Sequence, residues 1–206
     1  MKKIAIFASA GGSNFRAIYN NIQRGYISGK IVLVISNNPQ CNAIIFAIKK
    51  GLEIFIVNNT RFPDTNIRDK LLLQTLLKAD VELICLAGYM KLLPRGIVKE
   101  YKNRILNIHP ALLPKFGGKG FYGMKVHEAV IASGIEESGV TVHLVDEEYD
   151  HGKIIAQKRI EVRPEDTAET LAKRVLEVEH NLYPKVVKVF CNDRVVWKNN
   201  HPIIEV

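Results

Sequence analysis

Apolar and polar residues alternate between two patterns along this chain. Ile4–Ala8, Ile31–Ile35 and Val81–Ala87 are apolar with little interruption, the pattern of strands buried on both faces. Glu53–Val57 is a shorter run, and Ile105–His109 is apolar except at Asn107 and His109. Between these runs, apolar residues fall at helical spacing over about 14–24, 43–50, Ile67–Lys78 and Lys125–Ser133. The longest such stretch, Asp166–Phe190, opens on a capping pattern, Asp166-x-x-Glu169. Val140–Val145 alternates as a half-buried strand does, and Ile154–Val162 is its expected partner. Arg194–Trp197 and Ile203–Val206 read as a terminal hairpin.

Buried strands alternating with amphipathic helices predict a doubly wound α/β fold around a mostly parallel sheet, with an antiparallel C-terminal part. Ligands of such sheets bind beyond the carboxyl ends of the strands. The loops Ser9–Asn14, Gly88–Leu93 and His109–Lys115 leave those ends and are expected to face one crevice. A single domain over residues 1–206 is expected from the length.

Composition narrows the function classes. The 206 residues are 47% hydrophobic and 24% charged, and no apolar run approaches the roughly 20 residues of a membrane span. The start, MKKIAIFASAGG, reads as a core strand and not a signal peptide. Net charge is +8 from 29 basic and 21 acidic residues, which suits anionic small ligands; the basic residues are dispersed, so no nucleic-acid partner is expected. Cys41, Cys85 and Cys191 are far apart. Reduced thiols in a cytoplasmic setting, with no disulfide frame and no metal, are the expectation.

Four segments carry candidate chemistry. Gly11, Gly12, Ser13 and Asn14 join the first strand to the first helix, where free N–H groups and the helix dipole favour a phosphate monoester. The order of residues matches neither a Walker A loop nor a dinucleotide fingerprint. Asn107 and His109 share one side of a strand and form a donor pair able to hold an oxyanion. Pro110 sets that pair at the strand's end. In His143–Ile155, the acids Asp146, Glu147, Glu148 and Asp150 crowd one loop, and one of them is placed to face His109. Glu179 borders the buried stripe of the last helix; an exposed carboxylate is the simplest reading of it from spacing alone.

These residues carry a resemblance. LNIHPALLPKF is similar to the Asn-x-His-Pro-x-Leu-Leu-Pro signature of folate-dependent formyltransferases. IAIFASAGGSNF, LAGYMKLLP, SGVTVHLVDEEYDHGKII and EHNLYP follow in the order expected of the short, single-domain, purine-synthesis members. The resemblance covers about residues 3–190. It implies a Rossmann-like formyltransferase fold and transfer of a formyl group from 10-formyltetrahydrofolate, a co-substrate, to the amine of glycinamide ribonucleotide, with no metal. By position it makes Asn107, His109 and Asp150 the catalytic trio, with Asp150 holding His109 charged. It puts Gly12, Ser13 and Asn14 on the phosphate, Glu179 on the substrate amine end, and Lys115 among the substrate contacts. Met90, Lys91, Leu92 and Leu93 would border the pterin, and Val145 to Asp150, with Asp146 and Glu147, the opposite wall. Thr141, holding an active-site water, and His143 would support the trio. Residues 1–100 would form the phosphate-binding half and 101–206 the catalytic and folate half, in a monomer or homodimer.

The chain departs from the family at three places. Ala10 stands where many members have Gly. KFGGKGFYGMKVHEA replaces a shorter Pro-Gly segment. An Arg that some members bring to the phosphate from the third helix has no clear counterpart, with Arg68 the nearest in sequence. The alternatives are other formyl-group enzymes, a formyltetrahydrofolate deformylase or a sugar-nucleotide formyltransferase, and, in a different class, a noncatalytic binder of phosphorylated ligands.

Overall fold

β1 (Lys2–Phe7) lies inside a seven-stranded sheet because its residues from Ile4 onward are apolar on both faces and completely buried. The computed structural model describes residues 1–205. The strand order is β3-β2-β1-β4-β5-β6-β7, with β2 (Gly29–Ser36), β3 (Ile54–Ile56), β4 (Leu83–Leu86), β5 (Ile105–His109), β6 (Glu137–Leu144) and β7 (Ile154–Glu161). β1 to β5 pair in parallel; β6 and β7 are antiparallel. The expected fold class is the one observed.

Alternation along β1 divides the core. Ile4 and Ile6 face α1 (Ser13–Gln23), α2 (Asn42–Lys49), α5 (Met124–Ser133) and α6 (Ala168–Cys191). Ala5 and Phe7 face α3 (Thr65–Lys78) and α4 (Arg95–Glu100). The chain runs outward through β2 and β3, then returns to place β4 against β1. That reversal opens a crevice at the carboxyl ends of β1 and β4.

Three expectations are corrected. α4 was not predicted: it is only six residues, too short to show a helical period, and it forms by burying Ile97 and Val98. α6 is capped by Thr167 and not by Asp166. Thr167 has the extended backbone a cap needs, and it exchanges bonds with Thr170 in a reciprocal box. Asp166 instead accepts from the Arg163 N–H and pairs with Arg174. The terminal hairpin is shorter than its expected spans, β8 (Val196–Lys198) with β9 (His201–Ile203), and turns on Asn199 and Asn200, both left-handed. Val206, the end of the expected second strand, lies outside the described residues. Among the described residues no helix is long and apolar enough to cross a membrane, and all three cysteines are free and buried.

Candidate active site

The loops after β1 and β4 are stitched together at Ser9. Its hydroxyl donates to Asn37 at 2.6 Å and accepts from the Met90 N–H at 3.0 Å, while its own N–H bonds the Gly88 carbonyl. Gly12 then caps α1 in the left-handed region, φ 70°. A Cβ there would lie 2.8 Å from the Ala43 Cβ, so the close approach of α2 requires glycine. Gly11 meets no such constraint. No side chain caps α1 and its first turn carries no acid, so the N–H groups of that turn stay available to an anion.

β5 brings Asn107 and His109 to one side of the sheet, as their spacing predicts. Antiparallel pairing places His143 opposite Asn107 and Thr141 opposite His109. The Asn107 amide donates to His143 Nε2 at 3.0 Å and to Asp150 Oδ1 at 3.2 Å. His143 Nδ1 bonds the Leu144 carbonyl at 2.7 Å, so that nitrogen carries its proton and Nε2 accepts. Asp150 comes from the loop after β6, which folds back tightly: a Cβ on Gly152 would fall 1.8 Å from the Leu144 carbonyl oxygen. Asp150 itself is left-handed, φ 53°, with Oδ2 3.5 Å from His109 Nδ1 and 3.0 Å from the Gly118 N–H. A non-glycine residue held in that region at a cleft is where strain is stored for a task.

The other nitrogen of His109, Nε2, is 2.7 Å from the Phe116 carbonyl and therefore carries the proton. Phe116 is also left-handed, φ 55°, and this turns its carbonyl toward the imidazole. Burial lowers the His109 pKa below its ordinary value; the opposing pull of Asp150 and of the Phe116 carbonyl does not offset it. Desolvation outweighs Asp150 at rest, and the neutral form is favoured. Burial alone would raise Asp150. The neighbouring His143 and His109 imidazoles and the Gly118 N–H outweigh that and hold its carboxyl below the usual range. Thr141 is also reassigned. Its hydroxyl donates to the Ala111 carbonyl and accepts from the Leu113 N–H and Gln157, which leaves no capacity for a water. It braces the turn that follows His109.

Glu179 is not the exposed carboxylate that spacing suggested: it is 7% exposed. Tyr183, one turn further on and on the same face of α6, is completely buried and its hydroxyl reaches the carbonyls of Leu86 and Leu106 at 2.9 and 3.0 Å. It fixes α6 under the ends of β4 and β5, and Glu179 with it. Among the described residues, the one side-chain hydrogen bond to Glu179 comes from Asn14 Nδ2 at 2.8 Å, and burial pushes its pKa up to about 7.

A cavity of about 350 Å³ opens over the trio, within the range of small-molecule sites. Asn107, His109, Asp150, Met90, Lys91, Leu92, Leu93 and Val145 line it, whereas Gly11, Gly12, Ser13, Asn14 and Glu179 do not. Asp146 and Glu147 point elsewhere, to His151 and Arg95, and Glu148 and Tyr149 take their place in the wall. Lys115 lies outside too, in a separate cavity with Glu136 and Glu137. The long 116–124 segment supplies Lys119, Phe121 and Tyr122 to the lining instead. Sequence reasoning did not single out these three, Tyr183 or Gln157.

A formyl transferase family model matches residues 2–187. The chain is 45% identical over 206 residues to a phosphoribosylglycinamide formyltransferase of Arabidopsis thaliana, covering 99% of this chain and 70% of that protein. It is 44% identical to one of Vigna unguiculata, spanning 66% of that protein's length. A Bacillus subtilis protein of the same name is 37% identical, with 91% of this chain and 94% of that protein covered. The glycinamide ribonucleotide transformylase 1 structure from Symbiobacterium toebii superposes with a TM-score of 0.90 at 32% identity, over 100% of this chain and 95% of that one. From its sheet, its signature strand and these likenesses, the chain belongs to the formyl transferase family, in the group of the phosphoribosylglycinamide formyltransferases.

Proposed function

We propose that this chain transfers the formyl group of 10-formyltetrahydrofolate to the amine of glycinamide ribonucleotide, giving formylglycinamide ribonucleotide and tetrahydrofolate, a step of purine biosynthesis. The observation that supports this most is the convergence of Asn107, His109 and Asp150 on one cavity; the Gly12–Asn14 cradle and buried Glu179, joined to each other through Asn14, lie outside that cavity's lining. A bare phosphate binder would need only the cradle.

The bound folate supplies a formyl carbon on N10, open to attack by an amine. The chain's residues do the rest. Ser13 and Asn14 N–H groups hold the ribonucleotide phosphate, and Glu179 faces the acceptor. With the Phe116 carbonyl displaced, His109 Nε2–H donates to the formyl oxygen, and an Asn107 amide hydrogen, released from His143 or Asp150, joins it. Losing one such donor costs about 10²–10³ in rate. As negative charge grows on that oxygen, His109 Nδ1, facing ionised Asp150, gains affinity for a proton. The amine C–N bond forms, the bond to N10 breaks, and the proton lost by the amine ends on N10.

Residues 1–100 contribute the phosphate cradle and 101–206 most of the catalytic floor; the pterin wall draws on both. The trio, cradle and Glu179 all come from one chain, which serves a monomer or a homodimer equally. Free, buried cysteines suit a reducing compartment, the cytoplasm in this reading. The test is to mix the protein with 10-formyltetrahydrofolate and one acceptor at a time, following folate absorbance. Turnover is expected with glycinamide ribonucleotide alone. An equal rate without any acceptor identifies a deformylase, and turnover only with an amino-sugar nucleotide identifies the other alternative; either result overturns the proposal.

A further inference from the structure

We propose that Arg16 is the cation that completes the phosphate site. The inference rests on the function proposed above for the identity of the ligand, a ribose phosphate monoester. Such a dianion needs more than helix N–H groups, and the cradle residues Gly11 to Asn14 carry no charge. Arg16 lies in the second half of the first turn of α1, and helical side chains lean back toward the N-terminus. Its guanidinium donates to the Gly11 carbonyl at 3.0 Å, which brings it to the mouth of the cradle.

Two features hold it there and leave it free to bind. Its Cζ lies 5.5 Å from the centre of the Phe46 ring, a cation–π contact that limits where the side chain can swing. Phe46 belongs to α2, the helix whose Ala43 packs on Gly12, so one element supports both the turn and the cation. Among the described residues no carboxylate pairs with Arg16. One of its five N–H donors is spent on Gly11, and the rest of the planar fork matches phosphate oxygens. An independent mark of a ligand sits in the same first turn. Asn14 is 7% exposed, its Nδ2 bonds Glu179, and its Oδ1 has no partner. That acceptor suits a sugar hydroxyl beside the phosphate.

Arg68, the nearest basic residue to the position used by some family members, is placed differently. It is tied to Asp69 and Asn59 and lines another cavity, with Tyr89 and Lys91, under α3. α3 lies on the sheet face opposite α1.

The test compares Arg16→Gln with the parent protein, using ribose 5-phosphate binding by calorimetry and the kinetics of two acceptors, glycinamide ribonucleotide and its dephosphorylated riboside. The variant is expected to lose about tenfold in ribose 5-phosphate affinity and to raise the ribonucleotide KM by a similar factor. KM for the riboside and for 10-formyltetrahydrofolate should stay within about twofold. Arg16→Lys, which keeps the charge without the fork, should fall between. A loss of ribose 5-phosphate affinity below about threefold in a variant of unchanged Tm overturns the assignment, as does an equal rise in KM for both acceptors, or no ribose 5-phosphate binding by the parent. If the parent binds ribose 5-phosphate through Arg16 yet does not formylate the ribonucleotide, the proposed function fails and the assignment of Arg16 stands.

Discussion

Two carboxylates shielded from solvent, Asp150 in the cavity lining and Glu179 beside the first turn of α1, behave in opposite ways. Asp150 is held below its ordinary pKa, whereas Glu179 is pushed up to about 7. Burial is the largest influence on both and acts in the same direction, so burial does not decide the difference. Partners decide it. Asp150 faces two imidazoles, the Gly118 N–H and the Asn107 amide; Glu179 has one amide donor. Asp150 is therefore a fixed anion on the cavity lining. Glu179 is a group whose charge state a bound amine can set, since a cation nearby favours the ionised form.

The comparison can be broken first at His109, the ring that Asp150 faces. His109→Ala should lower kcat by about 10²–10³ with acceptor binding little changed, because it removes one oxyanion donor; steady-state kinetics alongside ribonucleotide titration would check it. Glu179→Gln sharpens the other side. The folded chain keeps the Glu179 proton up to about pH 7 while the unfolded chain loses it near 4.5, so this residue's contribution to stability is full below pH 4.5 and declines as pH rises through 7. The decline is on the order of 3 kcal/mol. Urea unfolding at pH 5 and pH 8 should show most of that slope in the parent and its absence in Glu179→Gln. The smallest effect is expected at Thr141. Thr141→Val keeps the shape but strands the Ala111 and Leu113 backbone groups, at about 1–3 kcal/mol of stability, read from the shift in denaturation midpoint.

How legible this was depended on whether a residue's neighbours lie on a regular element. The parallel strands announce themselves because they are buried on both faces, and the same-side placement of Asn107 and His109 follows from a period of two. Loop residues do not carry such a rule. Asp146, Glu147 and Asp150 are near in sequence, yet only Asp150 turns into the cavity, and Lys115 turns away from it. Tyr183 gave no signal because its partners are backbone carbonyls 97 and 77 residues away in sequence. Glu179 read as exposed because a stripe of α6 says which side is apolar, and not that α1 would cover the stripe's border. The resting charge of His109 was not legible, because it depends on the water the ring loses as well as on its anionic neighbour.

The most direct test of the central claim, that Asp150 serves the formyl transfer while the opposite carboxylate serves the acceptor, is the kcat and acceptor KM of Asp150→Asn. A fall in kcat of about 10³, with the ribonucleotide KM within about threefold of the parent, is the predicted result. A folded variant that turns over within about tenfold of the parent, or that loses only acceptor affinity, would contradict it.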